Sequence, residues 1–203
     1  MKYFIIALGL IALLQIMKHH APSKKILDTH ATVLAAGDSL THGFGAPEGT
    51  SYPDILSQRL HRTVINAGIN GELSEEGLKR PPSLLKQYQP ALTVICYGGN
   101  DILQKCSMIE LKENLKKMIR LAQLYQSDVL LISVPNLTLF GLEPLALYEE
   151  VSRETDVPLV SDVLSDILED PSLKSDQIHP NAKGYHKMAD AIYEKIKTIY
   201  SLP

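Results

Sequence analysis

The sequence lacks a long run of basic residues. Its 203 residues carry 20 lysines and arginines against 23 aspartates and glutamates, for a formal net charge of -3 at pH 7. Nucleic-acid-binding surfaces usually need clustered positive charge, so we expect no nucleic acid partner. Internal repeats and low-complexity segments are lacking as well. The length and the hydrophobic fraction of 45% suit one globular domain with a sizeable core.

Cysteine and clusters of metal ligands are also scarce. The chain has two cysteines, Cys96 and Cys106, and Cys96 lies in an apolar run where a small buried side chain is expected. A disulfide between them stays open, because the sequence does not give the distance between their Cα atoms. No second histidine or cysteine cluster accompanies the histidine described below, and a catalytic zinc needs about three protein ligands. We therefore expect no metal ion and no cofactor.

The one long apolar run lies at the start of the chain, over residues 3–17. It is short for a membrane span of about 20 residues but suits the core of a signal peptide. Ala21 and Ser23 give a small-x-small cleavage pattern. We predict export to the periplasm or beyond, with residues 1–23 as a signal peptide or an N-terminal membrane anchor and residues 24–203 as the folded domain. A buried N-terminal helix is the alternative, but a helix that is apolar all round needs burial on every side.

A short motif, Gly37-Asp38-Ser39-Leu40, follows the apolar run from Thr32 to Ala36. Such a run is typical of a strand buried on both faces, as in a parallel sheet. Ser39 then lies just past the carboxyl end of a strand, where open α/β sheets place their ligands. A serine hydroxyl becomes a good nucleophile when a neighbouring base takes its proton. Alone, the motif is weak evidence, because glycine, aspartate and serine are common in ordinary turns, which are the more frequent outcome.

Strands and helices alternate along the rest of the chain. Further strands are predicted at residues 63–67, 92–97, 129–134 and 157–160. Helices are predicted at residues 52–62, at 74–88 with a break at Pro81-Pro82, after the capping box at 107–110, at 144–153, and at the C-terminus. This alternation predicts a three-layer α/β/α domain with a mostly parallel, five-stranded sheet and right-handed crossovers. Pro158 favours an edge position for the last strand.

Two candidate hydrogen-bond donors follow these strands, at the edge of the sheet where Ser39 is expected. Gly71 stands between a strand end and a helix start, where a backbone N–H can face an anion. Asn100 follows the third strand, and its side-chain amide can donate to a developing oxyanion. Each also has an ordinary structural explanation, as a tight turn or a turn-capping side chain.

A pair of residues near the C-terminus supplies a candidate base. Asp176 and His179 are three residues apart in a turn that Pro180 restrains. The carboxylate can then bind one imidazole nitrogen while the other faces a serine. Alternatively, the pair is half of a metal site. His42, three residues after Ser39, is a rival base, although a solvated loop histidine is the more common outcome.

Four blocks together resemble the GDSL, or SGNH, hydrolases. They are Gly37-Asp38-Ser39-Leu40, Asn66-Ala67-Gly68-Ile69-Asn70-Gly71, Gly98-Gly99-Asn100-Asp101 and Asp176-Gln177-Ile178-His179-Pro180-Asn181. Their order and spacing match from about residue 30 to the end. Within that superfamily the chain is most similar to the bacterial periplasmic acyl-CoA thioesterase, arylesterase and lysophospholipase group.

The resemblance implies a fold and a set of roles. It implies the flavodoxin-like SGNH hydrolase fold, with Ser39 as nucleophile, His179 as base and Asp176 as its orienting partner. The Ser39 N–H, the Gly71 N–H and the Asn100 side chain would form the oxyanion hole.

The segment from Pro135 to Leu142 is predicted to be an apolar loop. Its side chains Leu137, Leu139 and Phe140 are unusual for a surface loop, and such patches often mark a binding groove. We predict that they bind the acyl chain of the substrate. The alternative is that they pack onto the core beneath the next helix.

Three hypotheses of function follow. The leading one is an exported serine esterase or thioesterase that hydrolyses small acyl esters or lipid substrates, such as arylesters, acyl thioesters and lysophospholipids, through an acyl-enzyme. The protein would act as a monomer, with a possible membrane tether through residues 3–17. A carbohydrate O-acetylesterase on the same scaffold is the nearest alternative. A non-catalytic binding module is a third, but it predicts loss of at least one of Ser39, Asn100, Asp176 and His179, and all four are present.

Overall fold

The computed structural model describes residues 24–138 and 141–203. Its centre is a sheet of five strands, which are β2 (Val33–Gly37), β3 (Val64–Gly68), β4 (Leu92–Cys96), β5 (Asp128–Ile132) and β8 (Leu159–Val160). All pairs in this sheet are parallel, and the strand order is β3-β2-β4-β5-β8. Two small sheets accompany it: β1 (Lys25–Ile26) with β9 (Tyr200–Ser201), and β6 (Pro135–Thr138) with β7 (Gly141–Pro144).

Strand β2 occupies an interior place because its residues are apolar on both faces. All five of its residues are buried. Val33 pairs with Val64 on one side and with Leu92 on the other, so both edges of β2 are hydrogen-bonded. The predicted buried strand after Thr32 is therefore confirmed, and the loops that follow β2, β3 and β4 leave the same edge of the sheet.

Helices flank the sheet. In chain order they are α1 (Ser39–His42), α2 (Tyr52–Leu60), α3 (Ser74–Gly77), α4 (Pro81–Tyr88), α5 (Gly99–Leu103), α6 (Met108–Leu124), α7 (Ala146–Thr155), α8 (Val163–Glu169) and α9 (Ala182–Ile199). Helix α9 packs against α2 and α8, and α6 packs against α4 and α7. In both long helices, α6 and α9, the buried residues recur at helical spacing.

The three-layer α/β/α architecture and the five-stranded parallel sheet predicted from the sequence are confirmed. The edge position of residues 157–160 is confirmed too, since β8 ends the strand order. The predicted helix over 74–88 divides into α3 and α4, and Pro81 occupies the first position of α4. Proline suits that position because the first helical N–H has no intrahelical acceptor.

The prediction of an irregular loop over residues 135–142 is wrong. Strands β6 and β7 form an antiparallel hairpin in which Pro135 pairs with Pro144. The predicted helix start at Pro144 is wrong for the same reason, since that residue ends β7 and α7 begins at Ala146. A hairpin is usually signalled by Asn-Gly or a similar turn pair, which this segment does not have.

Within residues 24–138 and 141–203, no helix is long and apolar enough to cross a membrane. The predicted leader at residues 1–23 lies outside the described residues. Cys96 and Cys106 are both free, and Cys96 is buried in β4.

Candidate active site

Ser39 is held at the junction of β2 and α1. It is the first residue of α1, and the Asp38 carboxylate caps the helix by accepting a hydrogen bond of 3.0 Å from the Leu40 N–H. Gly37, the residue before the cap, is the last residue of β2. A Cβ at Gly37 would lie 2.4 Å from the carbonyl oxygen of Cys96, so only glycine fits. The glycine of the motif is thus required by close packing between β2 and β4.

Ser39, His179 and Asp176 form a continuous chain of hydrogen bonds. The Ser39 Oγ lies 3.0 Å from the Nε2 of His179. The Nδ1 of the same ring lies 2.8 Å from the Oδ2 of Asp176. This geometry allows the imidazole to take a proton from the serine hydroxyl while the carboxylate fixes the ring's orientation.

The turn that carries His179 is built around the second oxygen of Asp176. Its Oδ1 accepts hydrogen bonds of 2.8 Å from the N–H groups of both Ile178 and His179. Partial burial opposes ionisation, but these two bonds and the His179 ring hold the pKa of Asp176 below its usual range. The carboxylate is therefore ionised at neutral pH and able to stabilise a positively charged imidazole.

Phe44 supports the other side of the imidazole. Its ring centroid lies 4.6 Å from that of His179, at an interplanar angle of 48°. The Tyr185 hydroxyl donates a hydrogen bond of 2.9 Å to the Phe44 carbonyl and so ties the loop to α9. The rival base His42 ends α1 with an exposed side chain, and the hydrogen bond to Ser39 comes from His179.

The candidate oxyanion donors lie on the loops after β3 and β4. Gly71 has a φ of +79°, and no atom lies within 4 Å of the position that a Cβ would occupy. Asn100 lies in the first turn of α5, and its Nδ2 donates a hydrogen bond of 3.1 Å to the carbonyl of Glu72. The same nitrogen lies 3.5 Å from the Oδ2 of Asp38. The Asn100 amide is thus fixed beside Asp38, the residue that precedes Ser39.

Asp38 is a buried carboxyl group beneath this site. Only 1% of its surface is exposed. Burial, together with the nearby carboxylates of Asp101 and Glu72, raises the pKa of Asp38 to about 7, although the bond from the Leu40 N–H acts in the opposite direction. A substantial fraction of Asp38 is therefore protonated at neutral pH.

The buried side chain of Ser74, at the start of α3, binds a buried carboxylate on α5. Leu73 is the capping residue, and Ser74 is the first residue of α3. The Ser74 Oγ donates a hydrogen bond of 2.6 Å to the Oδ1 of Asp101. The Ser74 N–H donates a hydrogen bond of 3.0 Å to the Oδ2 of the same carboxylate. Both residues are buried, so Asp101 joins the loop after β4 to the loop after β3. Such a contact between segments 27 residues apart has no signal in a single sequence.

A cleft of about 70 Å³ opens beside Ser39. Its walls come from the start of α1, from α5, from the hairpin and from the turn that carries His179. They are lined mainly by apolar side chains, namely Leu40, Ile102, Leu103, Val134, Pro135, Leu142, Leu168 and Ile178. Of the predicted acyl-binding residues, Leu139 and Phe140 lie outside the described residues. Leu137 lies in β6, where its backbone pairs with that of Leu142.

Comparison with known proteins shows the family to which the chain belongs. Residues 35–187 match the GDSL-like lipase/acylhydrolase family. The chain is 28% identical over 175 residues to thioesterase 1/protease 1/lysophospholipase L1 of Escherichia coli (strain K12), covering 83% of this chain and 84% of the relative. It is 29% identical over 178 residues to the esterase TesA of Pseudomonas aeruginosa, covering 83% and 89%. A crystal structure of TesA superimposes with a TM-score of 0.75 at 28% identity, covering 83% of this chain and 99% of the other.

The resemblance drawn from the four sequence blocks is thereby confirmed. The family match includes the Ser39, Gly71, Asn100, Asp176 and His179 positions, since all of them fall within residues 35–187. The chain belongs to the GDSL-like lipase/acylhydrolase family and is a hydrolase of that family.

Proposed function

We propose that the protein is a serine esterase that cleaves acyl esters and thioesters through an acyl-enzyme on Ser39. The hydrogen-bonded chain from Ser39 through His179 to Asp176, with distances of 3.0 and 2.8 Å, carries this proposal. Three residues separated by up to 140 positions in sequence meet in the order that nucleophile, base and orienting acid require.

In the first half of the reaction, the Ser39 Oγ attacks the carbonyl carbon while its proton passes to the Nε2 of His179. The tetrahedral intermediate then collapses, and the departing alkoxide or thiolate takes that proton. The acyl group is left on Ser39 as an ester. In the second half, His179 takes a proton from water, the resulting hydroxide attacks the acyl-enzyme, and the carboxylic acid leaves as Ser39 recovers its proton.

The negative charge of each tetrahedral intermediate needs donors placed in advance. We assign this role to the N–H groups of Ser39 and Gly71 and to the side chain of Asn100. Gly71 supports the assignment because no atom lies within 4 Å of the position that a Cβ would occupy, so a substrate can approach its backbone closely. Asn100 supports it because its amide is fixed by the Glu72 carbonyl. A donor of this kind is worth about 10² to 10³ in kcat.

The apolar cleft supports an acyl chain as the group that binds beside Ser39. Ile102, Leu103, Val134, Pro135 and Leu142 line one continuous cavity with the catalytic residues. The names of the relatives, which include a thioesterase, a lysophospholipase and esterases, agree with acyl substrates of this kind. A carbohydrate acetyl ester needs a smaller and more polar pocket, so we place the O-acetylesterase second.

We also propose that the protein is exported. The support is the apolar run over residues 3–17 followed by the small residues Ala21 and Ser23. Residues 24–203 then form the hydrolase domain.

The experiment that tests the function compares the purified protein with its Ser39→Ala variant. Rates are measured on p-nitrophenyl esters from acetate to laurate, on an acyl-CoA and on a lysophospholipid. We expect hydrolysis by the wild type and a loss on the order of 10⁴- to 10⁶-fold in the variant. The melting temperature serves as the control, and we expect it to stay close to wild type. A Ser39→Ala protein with near-normal turnover would refute the mechanism.

A further inference from the structure

A cluster of three side chains, two buried and one partly buried, lies behind the loop that carries Gly71. We call Glu72, Arg80 and Tyr97 the Glu72 cluster. The Arg80 Nε donates a hydrogen bond of 2.8 Å to Glu72 Oε1, and the Arg80 Nη2 pairs with Glu72 Oε2. Glu72 is 7% exposed, so this is a bidentate ion pair largely withdrawn from water.

Tyr97 completes the cluster from the end of β4. Its hydroxyl accepts a hydrogen bond of 2.7 Å from the Arg80 Nη2 and donates one of 2.7 Å to Glu72 Oε2. Burial raises the pKa of this hydroxyl, which keeps it protonated and able to donate. Its ring packs against Gly77, where a Cβ would lie 2.5 Å from ring carbons. The tyrosine is therefore fixed in one position.

Arg80 is itself anchored to the sheet. Both its Nη1 and its Nη2 donate hydrogen bonds of 3.0 Å to the carbonyl of Ala67, in β3. The Glu72 carboxylate is thus connected to β3 through Arg80 and to the end of β4 through Tyr97. These are the two neighbours of β2, the strand that delivers Ser39.

The backbone of Glu72 connects this cluster to the oxyanion hole. Gly71, whose N–H is one assigned donor, directly precedes Glu72. The carbonyl of Glu72 accepts the hydrogen bond of 3.1 Å from the Nδ2 of Asn100, which is another assigned donor. A shift of the Glu72 backbone therefore displaces two of the three donors together.

We propose that Glu72 is a positioning residue for the oxyanion hole, held in place by Arg80 and Tyr97. The inference rests on the proposed function, because it takes Gly71 and Asn100 as oxyanion donors. Glu72 acts through them and touches no reacting atom. Donors that are fixed before the reaction need no reorganisation when the charge develops, which is the source of their catalytic value.

A partly buried ion pair also has a purely structural explanation, since removing one partner commonly destabilises a protein. The two explanations differ in what they predict for kinetics. A structural role lowers the melting temperature and leaves the turnover of the folded protein unchanged. A positioning role lowers kcat while leaving KM near its original value. The loop keeps its second attachment, from Ser74 to Asp101, in either case.

The primary variant is Glu72→Gln, which keeps the shape of the side chain. The glutamine amide places a donor against Arg80, so one arm of the bidentate pair is lost. We expect kcat to fall by about 10- to 100-fold. This is less than the fall expected when one donor is removed completely. We expect KM to change less than threefold. The affinity for an alkyl trifluoromethyl ketone, which forms a tetrahedral adduct with the serine, should fall in parallel with kcat/KM.

Tyr97→Phe is the second variant, because it removes one hydroxyl and keeps the ring against Gly77. It should give the same pattern with a smaller fall in kcat. If Glu72→Gln does not fold, Tyr97→Phe alone decides the outcome. In the Asn100→Ala background, Glu72→Gln should cost less than in the wild type, because one of the donors that it positions is already absent.

Arg80→Lys and Arg62→Lys form a matched pair of controls. Arg62 is a buried arginine, whereas Arg80 is partly buried, and Arg62 donates to the carbonyls of Leu27, Asp28 and Leu60. Lysine keeps the charge and loses the planar fork in both variants. We expect both to lower the melting temperature. Only Arg80→Lys should also lower kcat and weaken binding of the ketone.

The result that overturns the proposal is a Glu72→Gln or Tyr97→Phe protein with wild-type kcat and wild-type ketone affinity. An equal loss of kcat in Arg80→Lys and Arg62→Lys overturns it as well. The proposed function would survive both results, provided that Ser39→Ala abolishes hydrolysis. If Ser39→Ala keeps its activity, the proposed function fails instead, and the positioning role fails with it.

Discussion

The buried carboxyl group of Asp38 makes protein stability depend on pH. We consider the substitution Asp38→Asn, which removes the titratable group and keeps the cap of α1. An asparagine oxygen can accept the same hydrogen bond from the Leu40 N–H, and Asn caps helices about as well as Asp. The neutral amide also has the shape of the protonated carboxyl group. The variant therefore isolates the effect of the charge.

The sign and size of the effect follow from the pKa. Folding raises the pKa of Asp38 from its ordinary value of 3.8 to about 7. Between these values the folded protein binds more protons than the unfolded chain, so the free energy of unfolding falls as pH rises. The contribution of Asp38 to the free energy of unfolding is fully present below about pH 3.8, and it is lost as the pH rises through about 7. Each pKa unit is worth about 1.4 kcal/mol. The loss in wild type between pH 5 and pH 8 is therefore about 3 kcal/mol.

The assay is urea unfolding of wild type and Asp38→Asn at pH 5 and at pH 8. Other titrating groups are common to both proteins, so they cancel in the difference between them. We expect Asp38→Asn to gain about 3 kcal/mol relative to wild type on going from pH 5 to pH 8. A difference between the two proteins that does not change with pH would refute the reasoning about Asp38.

Three further predictions concern Asn100 as an oxyanion donor, the apolar cleft beside Ser39 and the N-terminal segment. Asn100→Ala should lower kcat by about 10² to 10³ with a smaller change in KM, and an equal loss of activity and stability would favour a turn-capping role. The value of kcat/KM should rise by up to about fourfold for each methylene added to the acyl chain of the substrate, since burying one methylene contributes about 0.8 kcal/mol. Leu142→Ser should flatten the rise of kcat/KM with chain length and leave kcat/KM for the acetate ester unchanged. If the wild type prefers the acetate ester, an O-acetylesterase is favoured. Residues 1–30 fused to a reporter active only outside the cytoplasm should give signal, whereas a silent reporter with intact Met1 would rule out export.

The edge of the sheet that carries Ser39 was predictable because its signals are local. Strand β2 is a continuous apolar run that ends at Gly37, and Ser39 follows two residues later. Parallel strands place their carboxyl ends at one edge, so Gly71 and Asn100 were expected beside the serine. The Asp176 and His179 pair lies within one turn, and short spacing limits where the two side chains can point.

Other parts of the site were not predictable because they depend on contacts between distant segments. The hairpin of β6 and β7 has no glycine or asparagine pair at its centre, so its sequence resembles a loop. Glu72, Arg80 and Tyr97 meet only when the loop after β3, the start of α4 and the end of β4 come together. As isolated residues they look like a solvated acid, a solvated base and a core tyrosine.

The central claim is that Ser39 is the nucleophile, and the site of covalent labelling tests it most directly. The protein is treated with an alkyl fluorophosphonate, in which the attacking oxygen displaces fluoride and bonds to phosphorus. Digestion and mass spectrometry then locate the adduct, while residual hydrolysis is measured on the same sample. We expect one adduct, on Ser39, with hydrolysis lost in proportion to the labelled fraction. An adduct on another residue with loss of activity, or full hydrolysis by a protein labelled at Ser39, would contradict the claim.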